Sequence, residues 1–312
     1  MLRMLHVFLL LVSIIATTSA AAPEKLEVVA TTGMIGDVAS EIGGSRVQVT
    51  ALMGPGVDPH LYTATRDDLA KLLKADLILY NGHKLEGRMG DVLKRFGQRK
   101  PVRAVAEAVD PAMVLHPEGD HADPHLWMDV SAWKVVAGAI GEEFAKADPA
   151  GASEYQAATK AYQARLDALD AYAKAVIGSI PEESRLLVTA HDAFGYFGRA
   201  YGVEVRGIQG LSTESEAGLR ELNALVDTVV ARRVKAVFVE SSVSEKNVKA
   251  LVEGAASRGS KLEIGGKLYS DAMGQAGTWE GTYIGMIDHN VTTIGRALGG
   301  KVPAGGFRAW KP

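Results

Sequence analysis

Apolar residues along this chain fall into short unbroken runs that alternate with stretches of three- and four-residue spacing. Residues 26–30 (LEVVA), 47–53 (VQVTALM) and 75–80 (ADLILY) are runs of the first kind and predict buried strands. Helices are predicted between and after them, over 34–42, over 66–74 with Leu69, Leu72 and Leu73 on one face, and over 129–146. Residues 153–177 contain no Gly or Pro, and Tyr155, Ala158, Tyr162, Leu166, Leu169 and Tyr172 recur at helical steps. A helix of that extent is roughly 37 Å long. The strand pattern then resumes at 185–189 (RLLVT), 203–208, 236–240 (AVFVE) and 261–264, with helices over 219–232, 245–257 and 283–298. Strands alternating with helices predict parallel sheets covered on both faces. The expected class is α/β, with two Rossmann-like lobes, 23–150 and 181–312, joined by one long helix at 151–180.

The N-terminus changes the setting of that fold. Arg3, an apolar stretch over 5–16 and the small residues Thr18, Ser19, Ala20, Ala21 and Ala22 predict a secretory signal peptide, 1–22. No later stretch of the sequence is long enough to span a bilayer. The 312 residues carry a net charge of −3, which gives no basic footprint for nucleic acid. Cysteine is absent, so the exported protein is expected to have neither disulfides nor a lipid anchor, and to act as a monomer in the periplasm.

Candidate chemistry sits where strands hand over to loops. Asp-Pro-His-Leu occurs twice, placing His60 and His125 in the same local context. His191 follows the apolar run at 186–188, and Asp271 follows another run in Leu-Tyr-Ser-Asp-Ala-Met-Gly. In open α/β sheets, ligands bind beyond the carboxyl ends of strands. Three imidazoles and one carboxylate form a full shell for a divalent transition metal, zinc above manganese by the usual affinity order. Two donors come from each half, so the site is expected in the cleft between the lobes. Asp58 and Asp123, each two residues before a histidine, are candidates to cap the local turn or to hold an imidazole, and Glu240 at a strand end is a third supporting candidate. His116, His121 and His289 read as exposed-loop or structural residues, and His83 as a neighbour of the cleft.

The motifs at 54–62 (GPGVDPHLY), 123–129 (DPHLWMD), 189–197 (TAHDAFGYF), 208–213 (IQGLST), 237–242 (VFVESS) and 268–274 (LYSDAMG) run through nearly all of the mature sequence. In that order they resemble the metal-specific solute-binding proteins of bacterial ABC importers, the zinc and manganese receptors, in their TroA-like branch. The resemblance implies two lobes on a rigid helix and His60, His125, His191 and Asp271 as ligands. It also implies delivery of the ion to a membrane permease driven by a cytoplasmic ATPase. Manganese-dedicated members tend to carry Glu at the position of His191, which favours zinc or mixed use. The His-rich loop common in zinc receptors is short here, holding only His116 and His121.

The expectation is therefore a non-enzymatic receptor that captures zinc or manganese for import. The alternative is a secreted zinc hydrolase with Glu240 as base, but the chain has no His-Glu-x-x-His and four protein donors leave a tetrahedral ion no position for substrate.

Overall fold

A computed structural model describes residues 25–117 and 119–311; the predicted signal peptide lies outside them. The first half runs β1 (Leu26–Ala30), α1 (Gly33–Gly43), β2 (Val47–Ala51), α2 (Arg66–Lys74), β3 (Leu77–Tyr80), α3 (Gly90–Gly97) and β4 (Val102–Ala104), then α4 (Val130–Ala147). The four strands form one parallel sheet in the order β2-β1-β3-β4. Leu77, Ile78 and Leu79 of β3 are almost wholly buried, as a central parallel strand requires.

Helix α5 (Ala152–Gly178) has 27 residues and carries the chain from one half to the other. Its buried stripe of Tyr155, Tyr162, Leu166, Leu169, Tyr172 and Ile177 packs on α1 and α4 of the first half. The second half runs β5 (Leu186–His191), α6 (Gly195–Tyr201), β6 (Glu204–Gln209), α7 (Leu219–Ala231), β7 (Ala236–Glu240), α8 (Lys246–Ser257), β8 (Glu263–Leu268) and α9 (Tyr283–Ala297). α5 packs on α6 and α9 as well. β5 pairs with β6 and β7 with β8, both in parallel, and β5 lies beside β7. The two-lobed α/β reading holds. One buried apolar core runs from Val28 and Ala30 through Trp133, Leu166 and Tyr172 to Phe238 and Leu268.

Several boundaries differ from expectation for local reasons. The strand predicted over 47–53 ends at Ala51, because Leu52 and Met53 turn away while bonding back to Ala30 and Thr31 carbonyls. The strand predicted over 261–264 lies at 263–268 and continues through Gly265 and Gly266. They are strand glycines because neighbours crowd them. A Cβ on Gly265 would lie 2.8 Å from Ala236 Cβ and 2.9 Å from Ala297 Cβ, and one on Gly266 would lie 2.4 Å from Thr293 Cγ2. α3, β4 and α6 are too short, at eight, three and seven residues, to leave a periodic signature.

Candidate metal centre

Each element delivers one donor to the same point. Past β2, the loop to α2 carries His60, whose backbone N–H donates to Asp58 Oδ1 at 2.9 Å. His125 opens a single 3-10 turn over Leu126–Met128, and its own N–H donates to Asp123 Oδ1 at 2.9 Å. His191 is the last residue of β5. Asp271 lies three residues beyond β8. All four are buried: His125 and His191 at 0% exposure, Asp271 at 2% and His60 at 4%.

The donor atoms converge. Asp271 Oδ2 lies 3.2 Å from His191 Nε2 and 3.9 Å from His60 Nε2, and Asp271 Oδ1 lies 3.5 Å from His125 Nε2. One donor from each residue lies within 4.8 Å of every other. A tetrahedral ion with bonds of about 2.0–2.1 Å sets its donors about 3.4 Å apart, so these separations fit one ion at the centre. The three Nε2 atoms and both Asp271 oxygens are buried without a hydrogen-bond partner among the described residues. Buried polar atoms are normally paired, and five orphans facing one point mark a place for a cation.

Charge supports the same conclusion. Burial alone would raise Asp271, but the imidazoles of His191, His125 and His60 hold its carboxyl well below the usual range. Burial pushes His60 down to about 3, against the pull of Asp271, so its ring is neutral at physiological pH. Burial also acts to lower His191, but the adjacent Asp271 and Glu240 carboxylates outweigh it and hold the ring well above its ordinary value.

Two rings are oriented from behind. His191 Nδ1 lies 2.6 Å from Glu240 Oε2, while the His191 backbone N–H donates to Glu240 Oε1 at 2.9 Å. His125 Nδ1 lies 2.7 Å from Asp123 Oδ1. A carboxylate there fixes the tautomer and leaves Nε2 as the donor towards the centre. Asp58 differs from Asp123 despite the repeated tetrapeptide. Its second oxygen accepts from Thr213 Oγ1 at 2.6 Å, so it ties the His60 loop to the second half rather than gripping a ring.

Other candidates fall outside the centre. His289 Nε2 bonds the Lys267 carbonyl at 2.8 Å, a structural role. His83 and His121 line a cavity of about 580 Å³ that also reaches His60, beside Glu107 and Glu214. Sequence reasoning missed Asn81, whose Nδ2 donates to the Pro124 carbonyl at 2.9 Å and steadies the turn bearing His125.

The sequence matches the family described as zinc-uptake complex component A, periplasmic, over residues 28–297. It is 52% identical over 280 residues to the manganese-binding lipoprotein MntA of Bacillus subtilis, covering 89% of this chain and 91% of that one. It is 49% identical over 279 residues to the zinc-binding protein TroA of Treponema pallidum, covering 89% and 91%. The solved structure of the periplasmic zinc-binding protein TroA from Treponema pallidum superposes with a TM-score of 0.86 at 48% identity, over 88% of this chain and 99% of that one. MntA is a lipoprotein by name, as is PsaA of Streptococcus anginosus at 31% identity, so the expectation of a protein without a lipid anchor is not borne out by these relatives. With a match over 28–297 and two relatives near half identity, the chain belongs to the family of the periplasmic component A of zinc-uptake complexes.

Proposed function

We propose that this protein captures one zinc or manganese ion outside the cytoplasmic membrane and hands it to an ABC importer, a permease driven by an ATPase. His60, His125, His191 and Asp271 are the ligands in this reading, and the ion is cargo rather than cofactor. Residues 25–150 and 181–311 serve as the two lobes, with 151–180 as the helix between them. The observation that carries the reading is the set of five buried, unpartnered donor atoms around one point.

The donor set suits zinc through three imidazoles. It also admits manganese, because Oδ1 and Oδ2 of Asp271 both face the centre and a second oxygen gives a higher coordination number. The relatives point the same way, one named for zinc and one for manganese. Capture fits the shell better than hydrolysis, since four protein donors complete a tetrahedron. Glu240 is also spoken for: both its oxygens engage His191, which leaves no free base for a water. The site of action is the periplasm or the cell surface.

The test is metal analysis of protein purified from its natural compartment, followed by competition between zinc and manganese for the stripped protein. One divalent ion per chain, exchangeable by both metals, is expected. Stripped protein that binds neither metal below micromolar concentration would sink the proposal.

A further inference from the structure

The two Asp271 carboxylate oxygens have no hydrogen-bond partner among the described residues and face the three imidazoles, with which they would share a bound ion, so no further group at the tip fixes the orientation of the carboxylate. Asp271 also lies beyond β8, outside any regular ladder. Its position must come from the backbone on either side.

That backbone is tied at several points. From the second half, Asn290 brackets Tyr269, accepting from its N–H at 2.9 Å and donating to its carbonyl at 2.7 Å. Ser242 Oγ meets Ser270 Oγ at 3.0 Å, and Ser241 Oγ donates to the Ala272 carbonyl at 3.2 Å. From the first half comes Trp127, whose indole Nε1–H donates to the Ser270 carbonyl at 2.8 Å, across 143 residues of sequence. Trp127 stands two residues after His125 and meets its ring edge-on, centroids 5.2 Å apart. Its own carbonyl accepts from Tyr283 Oη, at the start of α9, at 2.7 Å. The side chain is fully buried. One residue therefore registers a ligand of the first half against a ligand of the second.

We propose that Trp127 is a positioning residue that sets metal preference, holding the Asp271 carboxylate with both oxygens turned to the centre through its bond to the Ser270 carbonyl. The inference rests on the metal-site reading above. A tetrahedral zinc ion needs one carboxylate oxygen and tolerates a tilted Asp271. Manganese prefers oxygen donors and more of them, so it depends on the second oxygen. Loss of the indole bond therefore weakens manganese more than zinc.

The test replaces Trp127 with β-(3-benzothienyl)alanine, which keeps the bicyclic shape and lacks the N–H donor, alongside the simpler Trp127→Phe. Trp133→Phe is the control. Trp133 is equally buried and packs edge-on against Trp127, but its Nε1 has no partner among the described residues, so its loss perturbs the packing around Trp127 and breaks no hydrogen bond. Zinc and manganese affinities are measured by competition with a chelator. A lost hydrogen bond of ordinary strength is about fivefold in an equilibrium. The isostere is expected to lower zinc affinity by about twofold to fivefold and manganese affinity by at least about tenfold. Hydrogen exchange over residues 269–273 is expected to quicken in the metal-free isostere variant and not in Trp133→Phe. An unchanged zinc-to-manganese ratio in the isostere, or the same change in Trp133→Phe, would overturn the proposal. Native protein that binds neither metal would instead overturn the metal-site reading beneath it. Should Trp127→Phe fail to fold, the isostere alone decides.

Discussion

Asp271→Asn tests the centre at its most charged point. The substitution keeps size and one carbonyl oxygen while removing the negative charge and the second oxygen. The native carboxylate faces three imidazole nitrogens at 3.2 to 3.9 Å, and it is the acid among the four grouped donors. A closed protein site holds zinc with about 10–16 kcal/mol, so one donor in four carries about 3 kcal/mol, or about a hundredfold in affinity. The same figure predicts a thermal effect. Zinc at about a hundred times the native Kd stabilises by about 2.7 kcal/mol, and at a Kd a hundredfold weaker the same zinc gives only about 0.4 kcal/mol. At about 2–3 °C per kcal/mol, the metal-induced rise in Tm falls from about 5–8 °C to about 1 °C. Scanning calorimetry of stripped and loaded protein reads the rise, and chelator competition reads the affinity. Far-UV circular dichroism of the stripped variant shows whether the fold survives. An intact Asn variant that kept a full thermal shift and an affinity within threefold of native would refute the assignment of Asp271.

Glu240→Gln should weaken zinc by about ten- to a hundredfold through the His191 ring, while Asp58→Asn, at a carboxylate that bonds the His60 backbone and Thr213 rather than a ring, should cost less; chelator competition ranks them. Zinc binding at pH 7 should release a proton, because Asp271 and Glu240 keep His191 protonated in the metal-free protein while buried His60 is already neutral; titration calorimetry in buffers of different ionisation enthalpy counts it, and a count of zero contradicts the assignment. Burial pushes Asp37 up from 3.8 to about 6, against the Tyr283 N–H that it accepts, so the folded protein takes this proton more readily than the unfolded chain. Asp37 therefore favours folding most below pH 3.8 and loses about 3 kcal/mol of that as pH rises through 6. Asp37→Asn should gain stability at pH 8 and show a flatter change between pH 4.5 and 8 in urea denaturation; an unchanged slope counts against it.

The four proposed donors are legible in the sequence because each sits at a chemical and a structural boundary at once. His191 ends an apolar run, and a strand end in an α/β sheet points its side chain into the crevice. The repeated Asp-Pro-His-Leu pointed to His60 and His125 but could not separate the roles of their aspartates. Both aspartates accept from the histidine backbone N–H, a local turn that the tetrapeptide itself dictates. What differs is remote: Asp123 Oδ1 also meets the His125 ring, whereas Asp58 meets Thr213, and no short motif encodes a partner 155 residues away. The strand at 263–268 runs beyond the predicted 261–264 for a related reason: Gly265 and Gly266 interrupt the apolar run, and only the closeness of Ala297 and Thr293 on α9 explains them as strand.

The way a bound ion would leave depends on the same long-range contacts. Two lobes on a long helix suggest a wide hinge, yet the apolar core continues from Val28 to Leu268 with α5 packed on helices of both halves. Opening the lobes fully would expose Trp133, Tyr283 and Leu166, each 0% exposed, and fully buried side chains of this size cost about 1.5–3 kcal/mol apiece to return to water. The ties at the rim are cheaper to break. Asp58 to Thr213 is a single hydrogen bond, and Arg88 to Glu214 is an exposed pair at 3.4 Å. Release of a bound ion is therefore expected to proceed more readily by movement of the loops bearing His60 and Thr213 than by parting of the two halves. Cross-linking the α5–α9 contact should leave zinc release to a chelator unchanged, whereas a covalent link between positions 58 and 213 should slow it.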